Sequence, residues 1–171
     1  MHSSAVCALM TVLSAQSIRA CCLSYGDPLG RPLISPFVER GISNGRSYGL
    51  SACSYDVRID HTLRIRSGHY SLASTMERFI FPDDICGHVR DKSSLARRFI
   101  SVFNTHFDPG FEGFATIEIV NHGPGTVEFE KGDPLCQFVF MSLDEPTLYP
   151  YRGKYFDQER GPQEARYEEV K

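Results

Sequence analysis

Residues 10–171 predict one mainly β domain of sandwich, barrel or jelly-roll type, and three observations carry that reading. Turn-forming clusters recur along the chain: Gly26-Asp27-Pro28, Asn44-Gly45, Pro82-Asp83-Asp84, Asp108-Pro109-Gly110, Asn121-His122-Gly123-Pro124-Gly125, Lys131-Gly132-Asp133-Pro134 and Asp144-Glu145-Pro146. Between them, apolar side chains repeat with a period of two. Only two short stretches carry helical spacing.

In chain order, the apolar run Ala5–Leu13 lacks a basic flank and is too short to span a bilayer, so it is read as neither signal nor anchor. Met10 is an alternative start, and residues 1–9 are expected to be a disordered or additional extension. Ser14–Cys22 begins with a good N-cap and places Ile18, Cys21 and Cys22 on one helical face. Strands follow through Val57 and Ile59, and through Leu63 and Ile65. A second helix of one or two turns is expected over 91–98, opened by the capping residue Asp91. The later strands carry Ala115, Ile117 and Ile119, then Val127 and Phe129, then Cys136, Phe138 and Phe140.

The 171 residues include 18 Lys and Arg against 21 Asp and Glu, a net charge of −3, which excludes the basic surface of a nucleic-acid-coating protein. With 42% hydrophobic and 23% charged residues, the chain is neither disordered nor collagenous. Its length suffices to bury roughly 70% of the unfolded surface. The six cysteines, Cys7, Cys21, Cys22, Cys53, Cys86 and Cys136, include no C-x-x-C pair, so free thiols in a reducing cytosol are expected. No His is followed two residues later by Glu, so the zinc nucleobase-deaminase signature is absent.

Three segments place polar groups where a β domain does not need them. Ser93 and Arg97 are four apart and share a helix face, with Ser94 in the first turn and Lys92 beside it, which makes either an anion pocket or a capped surface helix. In Phe114–Val120 the pleat puts Glu118 with Phe114, Thr116 and Val120. A carboxylate among apolar neighbours suits general acid–base work, while a partly exposed strand Glu paired with a base is the commoner case. The aromatic, basic, glycine-containing tail from about 150 is either a lid over phosphates or a solvated extension.

Taken together, several ordered motifs resemble the dCTP deaminase family of the trimeric dUTPase-like superfamily. They are Gly49-Leu50-Ser51-Ala52-Cys53-Ser54-Tyr55-Asp56-Val57-Arg58, Leu72–Glu77, Phe81–Ile85 leading into Lys92–Arg97, Asp108–Gly113, Thr116-Ile117-Glu118, Gly153-Lys154-Tyr155 and Gln158–Pro162. The resemblance covers nearly the whole chain from Met10. It implies a distorted jelly-roll-like β-barrel and a homotrimer with active sites between subunits. It implies zinc-independent hydrolysis of dCTP to dUTP and ammonia, with Mg2+ held by the triphosphate and no metal ligand from the protein.

By the same resemblance, Glu118 activates water and shuttles the proton, and Ser93 and Arg97 orient the water and contact the base. Lys92 and Ser94 fall where phosphate is contacted, Asp108 binds the 3′-hydroxyl, and Tyr151, Lys154 and Gln158 form a phosphate-binding tail. Asn104 and Thr105 are base-pocket candidates. Two departures stand out: Lys92 replaces an Arg, losing bidentate geometry, and the link 98–107 is shortened, which opens the base preference to 5-modified cytosine. The alternatives are a bifunctional deaminase that also releases pyrophosphate, a dUTP diphosphatase, and a non-catalytic nucleotide binder. The partners implied are dCTP and dUTP, with dTTP a candidate inhibitor and neither nucleic acid nor membrane, in the cytoplasm or a host's cytoplasm.

Overall fold

The computed structural model describes residues 11–23 and 30–167. The expected extension at 1–9, Cys7 and the turn at Gly26-Asp27-Pro28 lie outside the described residues.

The chain opens with β1 (Thr11–Val12) and α1 (Ala15–Leu23). Ile18 N–H donates to the Ser14 carbonyl at 2.9 Å, and Ile18 and Cys22 turn into the core as the helical spacing predicts. Then come β2 (Ile34–Ser35), β3 (Arg40–Ser43), β4 (Arg46–Leu50), β5 (Tyr55–Arg58), β6 (Leu63–Ile65), β7 (Tyr70–Ile80) and β8 (Ile85–Arg90). Asn44 and Gly45 both take positive φ, 47° and 72°, the two-residue turn that matches strand twist and closes the β3–β4 hairpin. The second half holds α2 (Ser93–Ala96), β9 (Ile100–Val102), β10 (His106–Phe107), β11 (Glu112–Asn121), β12 (Val127–Phe129) and β13 (Pro134–Ser142).

One sheet runs β10-β8-β13-β5-β4-β3 with β1 on β13, a second runs β2-β7-β11-β9, and β12 pairs with β6. The two larger sheets enclose an aromatic core in which the Phe79 and Phe138 rings lie 4.5 Å apart and those of Phe107 and Phe111 5.0 Å apart. This is the mostly β, distorted jelly-roll-like architecture the sequence implies. Among the described residues no helix is long and apolar enough to cross a membrane.

The second helix is shorter than the expected 91–98. Asp91 does not cap it, because its carboxylate accepts the Val102 N–H at 2.8 Å; the N-cap position falls to Lys92, whose side chain makes no cap bond. Phe99, at φ 61°, turns the chain back toward β9. Cys21, Cys22, Cys53, Cys86 and Cys136 are all unbridged.

Candidate functional site

β11 supplies the floor of the site. Its residues alternate between buried Ala115, Ile117 and Ile119 and half-buried Thr116 and Glu118, as the period of two requires. Ala115 N–H, displaced from the ladder by an irregularity between Phe114 and Thr116, donates instead to the Thr75 hydroxyl at 3.0 Å, so the strand bends without orphaning a donor.

Over this face opens a cavity of about 450 Å3. Leu72, Phe107, Phe111, Tyr151, Tyr155 and Ala165 form its apolar walls, and Thr105, His106, Asp108, Thr116, Glu118, Gln158, Gln163 and Glu164 its polar groups. Thr105 Oγ1 donates to Glu118 Oε2 at 3.2 Å, which fixes one carboxylate oxygen and leaves the other for a reactant. An apolar cavity with a few convergent polar groups is the usual form of a small-molecule site.

The tail from Pro150 closes one side. Tyr151 N–H donates to the Pro109 carbonyl at 2.8 Å, and Tyr155 N–H donates to the Tyr151 hydroxyl at 3.0 Å. Gln158 pairs with Gly113 in a short parallel bridge, and its side-chain amide donates to the Phe114 carbonyl at 2.8 Å and to Thr116 Oγ1 at 2.9 Å. Gly113 permits that approach: its φ is 131°, and a Cβ there would lie 2.5 Å from the Gln158 nitrogen. Arg78 pairs with Asp157 at 2.7 Å, and the Arg160 guanidinium lies over the Phe114 ring.

Of the residues singled out from sequence, Glu118, Thr105, Asp108, Tyr151 and Gln158 meet in this cavity. Gln158 lines it, but its side-chain amide donates two hydrogen bonds to β11, so in this conformation it anchors the tail rather than presenting a free donor. Lys154 is exposed, its ammonium over the Tyr155 ring, and Asn104 is exposed beside the cavity-lining Thr105; neither lines the cavity.

The α2 group also stands apart from the cavity. Lys92 is buried, with its ammonium 2.6 Å from Asp56 Oδ2, so its charge is already matched within the chain. Ser93 and Arg97 are exposed, while Ser94 Oγ is buried without a hydrogen-bond partner.

Thr116, His106, Tyr155, Gln163 and Glu164 were not singled out as site residues from sequence. Thr116 Oγ1 also accepts the Gln163 N–H at 3.0 Å and so joins strand to tail. Its place two residues before Glu118 on the same face is the signal that finds it.

The structure also assembles a cluster that spacing hides: Cys86, His88 and His106, with ligand atoms all within 4.8 Å of one another. Among the described residues it is the one group of three or more His, Cys, Asp or Glu so placed. The acidic side chains of the cavity form no such group.

A family model described as dCTP deaminase-like matches residues 56–143. The chain is 35% identical over 146 residues to a protein of Methanosphaera stadtmanae named dCTP deaminase, dUMP-forming, covering 81% of this chain and 71% of that one. It is 34% identical over 130 residues to a dCTP deaminase of Pyrococcus horikoshii, covering 72% and 83%. The solved dCTP deaminase of Agrobacterium tumefaciens superposes with a TM-score of 0.60 at 17% identity, over 78% of this chain and 49% of that one. The EIAV dUTPase superposes at 0.52 with 15% identity, over 71% and 98%.

Proposed function

The chain belongs to the dCTP deaminase-like family, and from that premise we propose that it hydrolyses dCTP at C4 with Glu118 as general acid–base and carries the product on to dUMP and pyrophosphate. The observation that carries the deamination is Glu118 itself: a strand carboxylate on the floor of a largely apolar cavity, with one oxygen held by Thr105. Glu118 takes a proton from water as the oxygen adds to C4 and passes it to N3, then carries the added hydroxyl's proton to the departing amine, so that ammonia leaves and a carbonyl remains. Thr105 keeps the carboxylate aimed through this exchange.

The second hydrolysis is favoured over release of dUTP by the Methanosphaera relative, which is named dUMP-forming. Asp108 lines the same cavity as Glu118 and is the candidate base for attack of water on the α-phosphorus, with pyrophosphate as leaving group.

Mg2+ fits as a passenger of the triphosphate. Asp108, Glu118 and Glu164 are oxygen donors of the type it accepts, yet they form no three-ligand cluster of their own. Its contribution there is to neutralise phosphate charge.

Ser93, Ser94 and Arg97 complete the site from a neighbouring subunit of a homotrimer. Two features support this: they do not line their own chain's cavity, and Phe99 and Phe103, just beyond them, expose 65% and 59% of their surface. The tail acts as a lid, with Tyr151 and Lys154 toward the phosphates.

An endpoint assay with dCTP and Mg2+, with and without chelator, tests the reading by separating dUTP, dUMP, ammonia and pyrophosphate. Ammonia with dUMP and pyrophosphate is the expected result. Ammonia with dUTP alone limits the enzyme to deamination, cleavage of dUTP without action on dCTP makes it a diphosphatase, and no reaction with either leads to 5-modified cytosine nucleotides.

A further inference from the structure

We propose that Cys86, His88 and His106 form a transition-metal site of the zinc type at the edge of the first sheet, on the wall of the cavity, which His106 also lines. Cys86 and His88 are two apart on β8 and therefore project to one side, opposite the core-facing Ile85 and Val89. His106 on β10 is the direct cross-strand partner of His88. The three ligand atoms lie within 4.8 Å of one another, although Cys86 and His106 are 20 positions apart in sequence.

Geometry and tautomer both suit a metal. His88 Nε2 and His106 Nδ1 are 3.3 Å apart, close to the edge of about 3.4 Å expected for a tetrahedron with Zn–N bonds of about 2.0–2.1 Å. On the far side of the second ring, His106 Nε2 lies 3.2 Å from Asp108 Oδ1. A carboxylate there holds the proton on Nε2 and turns the Nδ1 lone pair inward, the carboxylate–histidine–metal arrangement. The alternative is a plain His–His hydrogen bond, which needs neither the thiol nor the carboxylate.

Two imidazoles and a thiolate select zinc-type ions over Mg2+ or Ca2+, and three protein donors leave a fourth position for water. Binding forms three metal–ligand bonds and releases the Cys86 thiol proton to solvent, with no change of oxidation state. The ion ties the two-residue edge strand β10 to β8. Thr105, which holds Glu118, and Asp108 flank that strand, so the metal braces the cavity wall rather than entering the reaction.

The test is titration of the metal-stripped, reduced full-length protein with Co2+. The expected result is one Co2+ per chain, thiolate-to-cobalt charge-transfer absorption, intense tetrahedral d–d bands, and displacement by Zn2+. Cys86→Ser removes the charge-transfer band, whereas Cys53→Ser, at an exposed cysteine, leaves it intact. Because Cys86 is buried, His106→Gln at an exposed position serves as the second variant. It should weaken Co2+ binding by at least about ten-fold while the metal-free unfolding temperature is unchanged. Absence of a charge-transfer band in the unaltered protein, its survival in Cys86→Ser, its loss in Cys53→Ser, or unweakened binding in His106→Gln overturns the proposal.

Discussion

The ammonium of Lys92 sits 2.6 Å from Asp56 Oδ2, and both side chains are buried. Burial holds the Asp56 carboxyl above its ordinary range, and the hydrogen bond and charge of Lys92 offset this only in part. A basic residue ahead of two serines thus joins the start of α2 to β5. Replacing it by Ala strands a buried carboxylate, and Lys92→Ala should lose about 3–5 kcal/mol of stability in urea unfolding without nucleotide. A variant that unfolds normally but shows a raised KM for dCTP would make Lys92 a phosphate ligand instead.

Glu118 and Thr105 form the second pair to test. Glu118→Gln keeps the shape and removes the base, so calorimetry should still detect dCTP binding while kcat falls by about 10²–10⁴. Thr105→Val removes one hydrogen bond to the carboxylate, worth about 1 kcal/mol, and should slow turnover about five-fold with KM little changed. Near-normal turnover in Glu118→Gln would end the mechanism proposed above.

Gly113 tests the tail. A methyl group at φ 131° costs about 1–3 kcal/mol in backbone strain and collides with Gln158. Gly113→Ala should therefore free residues beyond 150, seen as faster proteolytic trimming and a raised KM for nucleotide. Unaltered trimming would mean that the tail is held by its other contacts.

Acid stability turns on Asp133. Its burial favours the neutral form, but the Glu130 N–H, the Ser43 hydroxyl, the Arg46 charge and the Asn44 amide together overcome this and hold the carboxyl below its ordinary 3.8. A carboxyl depressed by folding contributes stability that is complete above 3.8 and drains away as pH falls through the lower folded value. Asp133→Asn should be less stable than the natural chain at neutral pH, and urea titrations should show the gap narrowing only below pH 3.8.

Much of this was legible in sequence because burial leaves a periodic trace. β11 alternates as Ala115, Ile117 and Ile119 announce, and Asn44-Gly45 makes its hairpin. The faces of β8 were not legible, since Cys86 is as apolar as its core-facing neighbours and hides the alternation. Glu118, Thr105 and Asp108 converge because strand spacing and one turn link them. Lys92 and Asp56 meet across 36 positions through strand pairing, which no local pattern records. The same holds for Cys86 and His106, whose separation looked like scattered thiols and histidines. Asp91 illustrates a different limit: its type suits a cap, but a tertiary donor at Val102 outcompetes the helix for its oxygen.

In the proposed trimer, the separation of α2 from its own chain's cavity makes turnover a collective property. On that proposal, a chain diluted until it is alone keeps its nucleotide cavity but lacks a neighbour's Arg97, so specific activity should collapse on dilution while affinity persists. It also permits complementation. Chains bearing Glu118→Gln and chains bearing Arg97→Ala, each inactive alone, should regain activity when refolded together, because some mixed assemblies join an intact carboxylate to an intact arginine.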